Sequence, residues 1–273
     1  MKLPQDLRFK FRLALGYAVC LLFLFFICRL ALWHVYSPVF ESLSRGDILL
    51  GFWRGFFFDT SVICLFCAPV FILLFVPVRS VRYLKTIHVL WCVIALLLLG
   101  ILAADFVYFP EAKRHMADEL LYVKNEVGFL LHYAWSHFWW ALLLLAGLFA
   151  GCIKLGFVFI NRFYKPLPVA AWKTGVAFLL VGVFLFVGLR GKIGHGKPLS
   201  MRDVNELAST SAQGTLMING VFSAYQSLRR VKSLNQNPLP KEQALARSRQ
   251  LLASSAEIFP QEEYPLMRQV CRR

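Results

Sequence analysis

Two acidic residues, Asp59 and Asp105, stand within or at the ends of long apolar stretches of the chain. An ionised carboxylate costs several kcal/mol in hydrocarbon, so acids in such positions normally face a partner or a water-filled cavity. One interpretation is a polar site near the membrane surface that handles a lipid headgroup. The other is a structural ion pair or capping contact that fixes helix packing, with Arg54 and Arg190 as the predicted partners of Asp59.

A second group combines two carboxylates with an imidazole. Glu111, His115 and Glu119 follow one another at intervals of four residues, which places them on one face if the segment is helical. Such a set could hold a divalent metal. The alternative is a solvated face of an interfacial helix, because Lys113 and Arg114 are interleaved with the three residues.

The cysteines include one pair with CxxC spacing, Cys64 and Cys67. This pair lies in the middle of an apolar stretch without a second pair of ligands, which favours small apolar side chains over a zinc or redox site. The chain contains no phosphate-binding loop, serine-hydrolase elbow, zinc-protease motif or dinucleotide fingerprint. We therefore assign no catalytic, cofactor-binding or metal-ligating residue from the sequence.

The composition indicates the elements that must position these residues. Of 273 residues, 58% are hydrophobic and only 16% are charged, and the mean hydropathy is +0.59. Soluble domains carry about 25% charged residues, so the chain is not a disordered protein and does not resemble a soluble globule. A bilayer-spanning helix needs about 20 apolar residues, and five blocks reach that length. They run from about Leu13 to Val35, Phe56 to Val78, Ile87 to Phe109, Tyr133 to Ile153 (the block could continue to Ile160) and Val169 to Leu189.

The basic residues lie mainly between these blocks, which is typical of membrane proteins and argues against a nucleic-acid partner despite a net charge of +15. Eleven lysines and arginines fall on the N-terminal side of the predicted membrane and six on the other. The richer side is normally cytoplasmic. We therefore predict an all-α integral membrane protein with five transmembrane helices, a cytoplasmic N-terminus and everything from Arg190 onward outside.

Residues 190–273 have no block long enough to span a membrane and form a predicted helical connector, so the chain divides into 1–189 and 190–273. The sequence from Ser200 to Asp203 resembles a capping box that opens a helix. An apolar stripe at helical spacing follows, which could lie on the membrane or pack on a missing domain. Its members are Met217, Val221, Ala224, Tyr225 and Leu228. Another helix is predicted from Lys241 to about Ser255.

Several stretches, in this order, resemble the N-terminal membrane region of the lipoteichoic acid synthase-like phosphoglycerol transferases. They are Gly51–Ser61, with its Arg54 and its Phe58-Asp59 pair; Asp105–Phe109, followed by Lys113-Arg114 and Glu119–Tyr122; and Arg190–Ile193, followed by Pro198-Leu199, Asn219–Phe222 and Ser227-Leu228. The arrangement of five helices, with the N-terminus inside and the C-terminus outside, agrees with that family.

The resemblance implies a chain of the bacterial cytoplasmic (inner) membrane in contact with membrane lipids such as phosphatidylglycerol. In that family an exported domain of the alkaline phosphatase/sulfatase type follows, with a threonine nucleophile and a divalent metal, often manganese. The expected partner of this chain is such a C-terminal domain, which would begin at about Cys271, so the chain is either a fragment or a naturally truncated product. No cofactor is expected in this chain itself, which the resemblance makes a non-catalytic anchor.

On this basis Arg54, Asp59, Asp105 and Arg190 are candidate contacts for a lipid headgroup or structural polar contacts. The alternative function is that of a non-enzymatic multi-pass membrane protein that senses anionic lipids. A small transporter is disfavoured because the spans show neither interruptions nor paired repeats. The sequence leaves the acceptor and the transferred group open.

Overall fold

The computed structural model of the protein describes residues 4–117, 119–165, 167–192, 197–234, 239–252, 257–258, 267 and 269–270. Within these residues the fold is helical apart from one pair of two-residue strands. The helices are α1 (Gln5–Val35), α2 (Ser37–Phe40), α3 (Arg45–Phe66), α4 (Ala68–Phe75), α5 (Val81–Ala112), α6 (Leu120–Phe163), α7 (Ala171–Arg190), α8 (Met201–Leu207), α9 (Ser211–Met217), α10 (Gly220–Leu234) and α11 (Lys241–Leu252). Strands β1 (Glu257–Ile258) and β2 (Gln269–Val270) are antiparallel, with Glu257 opposite Val270.

Five helices are long and apolar enough to cross a membrane: α1, α3, α5, the Leu145–Phe163 part of α6, and α7. The predicted all-α fold with five candidate spans is confirmed to this extent. Their outward faces carry large apolar side chains, as on α7, where Leu179 is 67% and Phe186 65% exposed. Continuous apolar surface of this kind is stable against lipid and not against water.

The second span differs from its predicted bounds of Phe56 to Val78. Helix α3 begins eleven residues earlier, because Ser44 and Asp47 form a capping box that satisfies its first backbone N–H groups. It ends at Phe66, since Pro69 has no N–H to continue the hydrogen-bond ladder, and α4 starts with that proline in its first turn.

Helix α1 carries two buried polar positions, one towards each end. Near its start, Lys10 donates from Nζ to the carbonyl oxygen of Val76 at 3.0 Å and pairs with Asp6 at 3.4 Å. Nineteen residues further along, Arg29 pairs with Asp59. At about 1.5 Å per residue the two positions lie about 28 Å apart, close to the thickness of the hydrocarbon core of a bilayer.

The end of the bundle beyond Arg29 is covered by the segment that follows α7. Residues 1–228 form one compact unit and 229–273 a second one. Helix α7 ends next to the predicted boundary at 189/190, and the compact unit continues to Leu228. Helix α7 ends at Arg190 and is capped by Gly191, whose φ of +64° is strained for residues with a side chain. The predicted capping box of α8 is confirmed, since the Ser200 N–H donates to Asp203 at 2.8 Å.

Candidate functional site: a buried polar layer

The centre of the candidate site is a two-point ion pair between α1 and α3. Arg29 donates from Nη1 to Oδ2 of Asp59 at 2.6 Å and from Nη2 to Oδ1 at 2.7 Å. The Arg29 side chain is 4% exposed and that of Asp59 3%. Parallel hydrogen bonds between a guanidinium and a carboxylate are among the strongest in proteins and fix the relative rotation of the two helices.

A glycine one turn before Asp59 makes this approach possible. A Cβ atom on Gly55 would lie 2.5 Å from Cζ of Arg29, so any larger residue would displace the guanidinium. The carbonyl oxygen of Gly55 also accepts from Arg29 Nη2 at 3.4 Å. Because Gly55 and Asp59 are four residues apart, the accepting carboxylate and the space that the Arg29 guanidinium occupies lie on one face of α3.

The same ion pair holds the segment after α7. Asn219 donates from Nδ2 to Oδ1 of Asp59 at 2.7 Å, and Arg29 donates to the carbonyl oxygen of Met217 at 3.3 Å. The side-chain oxygen of Asn219 accepts from the Phe222 N–H at 2.8 Å, which caps the start of α10. Helices α1 and α3, both candidate spans, and the connector therefore share one hydrogen-bond network.

A second acidic centre lies about two turns before the end of α5. Asp105 accepts from the Met116 N–H at 2.7 Å, and its Oδ2 lies 2.6 Å from Nδ1 of His115. Nε2 of His115 lies 2.9 Å from the carbonyl oxygen of Thr215, so this nitrogen carries the hydrogen, because a carbonyl only accepts. His115 therefore connects α5 to α9. Arg29, Asp59, Asp105, His115 and Asn219 are called the polar layer below.

Glycines also bring the connector close to the polar layer. A Cβ atom on Gly220 would lie 2.3 Å from Cγ of Asp105, and one on Gly51 would lie 3.1 Å from Leu216. The start of α10 and the end of α9 thus rest directly against α5 and α3. A side chain at Gly220 would separate α10 from α5, whereas one at Gly51 would require Leu216 to shift.

The apolar stripe predicted for the connector packs on helix α3 of the same chain. Phe222 meets Phe58 edge to face with ring centroids 4.9 Å apart, and Tyr225 meets Phe66 at 6.0 Å. Val221 and Ala224 are buried at 1% and 2% exposure. The prediction that this stripe lies on the membrane or on a missing domain is therefore wrong for its buried members.

The structure places both sequence-predicted acids in the polar layer, with partners that were not predicted. Arg54 does not pair with Asp59; it donates to the carbonyl oxygen of Leu207. Because Asp59 is five positions after Arg54, the two side chains point about 140° apart around the helix. Arg190 stands at the end of α7, where its carbonyl oxygen accepts from the Leu199 N–H at 3.2 Å.

The predicted common helical face of Glu111, His115 and Glu119 is wrong. Helix α5 ends at Ala112, and Lys113 has a left-handed φ of +52° that turns the chain. His115 consequently turns to Asp105. Glu119 accepts from the Tyr108 hydroxyl at 2.8 Å, from the Ala117 N–H at 2.7 Å and from Arg114.

The turn at Glu119 gives a prediction about pH. Burial alone would raise the pKa of Glu119, but hydrogen bonds from the backbone, Tyr108 and Arg114 outweigh it and hold the pKa at about 2. A depressed carboxyl pKa contributes stability above its unfolded value of about 4.3, and the contribution is lost as the pH falls towards 2. We expect Glu119→Gln to melt at a lower temperature than the unmodified chain at pH 6, with the two melting temperatures converging near pH 2. A difference that is constant from pH 6 to pH 2.5 would contradict this account.

A cavity of about 470 Å³ lies beside the polar layer, between α1, α5 and the start of α10. Its wall is apolar and includes Phe25, Leu32, Leu99, Leu102 and Phe106. Its polar end is formed by Arg29, Asp105, His115 and Asn219. Among these described side chains Arg29 is bonded to Asp59, and Asp105 lies within hydrogen-bond distance of His115. The polar groups are thus already engaged by protein partners, and the apolar wall suits an apolar guest.

Sequence reasoning missed Arg29 and Asn219. Arg29 could have been found from the sequence, because a basic residue within an apolar block needs a counter-charge just as an acidic one does. The sequence signal for Asn219 is weaker: an asparagine just before a glycine and a predicted apolar helix is a common helix cap. Comparison of the chain with protein-family models, curated proteins and solved structures gives no significant match.

Proposed function

We propose that the chain is the membrane-anchoring region of a phosphoglycerol transferase similar to lipoteichoic acid synthases, in the bacterial inner membrane. Its task is to hold a C-terminal sulfatase-like domain in a fixed orientation at the outer surface, where the headgroup of a lipid such as phosphatidylglycerol is presented. The catalytic threonine and the manganese belong to that domain. The chain alone is non-catalytic.

The observation that carries this proposal is the attachment of the connector to the polar layer. A domain that works on lipid headgroups has to keep a constant height and orientation above the bilayer, and a flexible exit from the last span would not provide either. Asn219 and Met217 are bonded to the Arg29–Asp59 pair, and Thr215 is bonded to His115. An odd number of candidate spans supports the proposed placement of the connector outside and the N-terminus inside.

The charges of the polar layer favour anchoring over headgroup binding. A phosphate site needs a cation that is not already neutralised, whereas the Arg29 guanidinium is matched by Asp59 in a two-point contact. The carboxylates are equally committed, with Asp105 bonded to His115 and Met116. The layer is therefore suited to lock protein segments together.

The test of the proposal is release of diacylglycerol from phosphatidylglycerol in manganese-containing vesicles. The chain alone is expected to give no turnover, and the chain followed by a sulfatase-like domain of this family is expected to be active. The same domain without the chain serves as the control and should be much less active on vesicles. Manganese-dependent release by the 273 residues alone would overturn the proposal.

The second candidate function is that of a non-enzymatic sensor of anionic lipids. The observation in its favour is the basic excess after the last candidate span, where residues 190–273 contain 13 lysines and arginines against six acidic residues. Retention of the chain on anionic vesicles, compared between the unmodified chain and Arg190→Ala and Arg229→Ala, distinguishes the two functions. Unchanged retention in both variants would count against the sensor.

A further inference from the structure

Three side chains with metal-binding atoms meet inside the helix bundle, away from the polar layer. His88 and Cys92 lie on α5 and Cys152 on α6, and their ligand atoms all lie within 4.8 Å of one another. His88 is 3% and Cys92 2% exposed. Neither the resemblance nor the proposed anchoring role uses these residues.

The distances fit a tetrahedral metal site. Sγ of Cys92 lies 3.8 Å from Sγ of Cys152 and 3.5 Å from Nε2 of His88. Two sulfur atoms bound to one tetrahedral zinc ion at about 2.3 Å each stand about 3.8 Å apart. The two thiols therefore already have the separation that zinc requires.

The spacing within each helix creates this meeting point. His88 and Cys92 are four residues apart on α5, and Cys152 and Gly156 are four apart on α6, so each pair shares a face. A Cβ atom on Gly156 would lie 2.0 Å from Nε2 of His88. Glycine at this position leaves the room that the imidazole occupies.

Tyr17 fixes the orientation of the imidazole. Its hydroxyl lies 2.8 Å from Nδ1 of His88, and its ring stacks on Trp91 with centroids 4.4 Å apart. When Nδ1–H donates to this hydroxyl, Nε2 presents its lone pair to a metal, as in the outer-shell contacts of many zinc sites. Nε2 also lies 3.2 Å from the carbonyl oxygen of Cys152, a contact that the metal bond would replace.

We propose that His88, Cys92 and Cys152 bind a zinc ion that clamps α5 to α6. On binding, the two thiols lose their protons to solvent, and a dication with two thiolates and a neutral imidazole makes a site of zero net charge. Neutrality matters within a membrane span, where an uncompensated charge is costly. Copper(I) with the same ligands would leave one negative charge, which makes zinc the better match.

Three protein ligands leave one position of a tetrahedral zinc ion to be filled. Cys20 lies three residues after Tyr17 and so shares the face of α1 that meets His88. A water molecule would complete the tetrahedron and keep the site neutral, whereas the thiolate of Cys20 would add one negative charge. The proposal depends on the three ligands of α5 and α6 alone.

The experiment measures zinc bound to the full chain in detergent after equilibration with buffered zinc under reducing conditions. We expect equimolar zinc in the unmodified chain and a loss of at least about tenfold in affinity in Cys92→Ala/Cys152→Ala. The matched control is Cys64→Ala/Cys67→Ala, which removes two thiols that are also buried, at 1% and 0% exposure. It should bind as much zinc as the unmodified chain.

Two measurements keep the proposal falsifiable if the double variant does not fold. Cobalt(II) bound to the unmodified chain should show thiolate-to-metal charge-transfer and tetrahedral d–d bands. Tyr17→Phe retains the stacking on Trp91 and should weaken zinc binding by about 10- to 100-fold. Absence of bound zinc and of the cobalt bands, or equal zinc in Cys92→Ala/Cys152→Ala and the unmodified chain, would overturn the proposal.

Discussion

Replacing Arg29 by methionine is expected to lower the free energy of unfolding by about 3–5 kcal/mol, because it leaves the Asp59 carboxylate buried without its counter-charge. Methionine keeps an apolar stem of similar length, so the loss reports the charge and not a cavity. The measurement is equilibrium unfolding in detergent micelles at neutral pH.

Two further variants separate the charge from other causes. Arg29→Met combined with Asp59→Leu should recover most of the lost stability, since replacing both members of a buried pair by apolar residues is often neutral. Arg12→Met removes the same charge from an exposed position on the same helix and should change the free energy of unfolding only slightly. A loss below about 1 kcal/mol in Arg29→Met would contradict the central place given to this ion pair.

The second large effect is expected from Gly220→Val, which should cost about 1–3 kcal/mol and release the connector from the polar layer. The first side-chain atom would lie 2.3 Å from Cγ of Asp105, which is 2% exposed and held by His115 and Met116. Because the carboxylate cannot move without breaking those contacts, we expect α10 to move away instead.

Amide hydrogen exchange over residues 201–228 measures this release. Exchange in Gly220→Val should be faster than in the unmodified chain, and Gly182→Val is the matched control because a Cβ atom on Gly182 meets nothing within 4 Å. Equal protection of the connector in Gly220→Val and the control would show that the close approach at Asp105 does not hold it.

The sequence was sufficient for the candidate spans because composition alone decides whether a helix tolerates lipid. The sequence predicted the ends of the helices less accurately, because a helix end depends on single residues. The early start of α3 depends on Ser44 and Asp47, and its break on Pro69. Both signals are visible in the sequence, but they are weaker than the long apolar block that surrounds them.

The acids of the candidate site could also be found from the sequence, because a carboxylate in an apolar block is conspicuous. Their partners could not, since pairing depends on how the helices align in space. Arg29 is 30 residues and Asn219 160 residues away from Asp59 along the chain. Proximity in sequence suggested Arg54, which the rotation of the helix directs elsewhere.

The polar layer and the contacts of Lys10 together suggest how the helices are placed in a bilayer. Lys10 and Arg29 lie about 28 Å apart along α1, and the side chains of α1 between them are mostly apolar. On this view Arg29 and Asp59 lie at the membrane surface, below the connector that they hold. On the same view the proposed zinc site would lie within the hydrocarbon region and would act as a clamp between helices.

The most direct test of the account is the location of the two chain ends, measured in intact cells. Each end is fused in turn to a reporter that is active only outside the cytoplasm and to one that fluoresces only inside it. We predict fluorescence from the N-terminal fusion and external activity from the fusion after residue 273. If both ends report the same compartment, the number of crossings is even, and the chain does not present its connector at the outer surface.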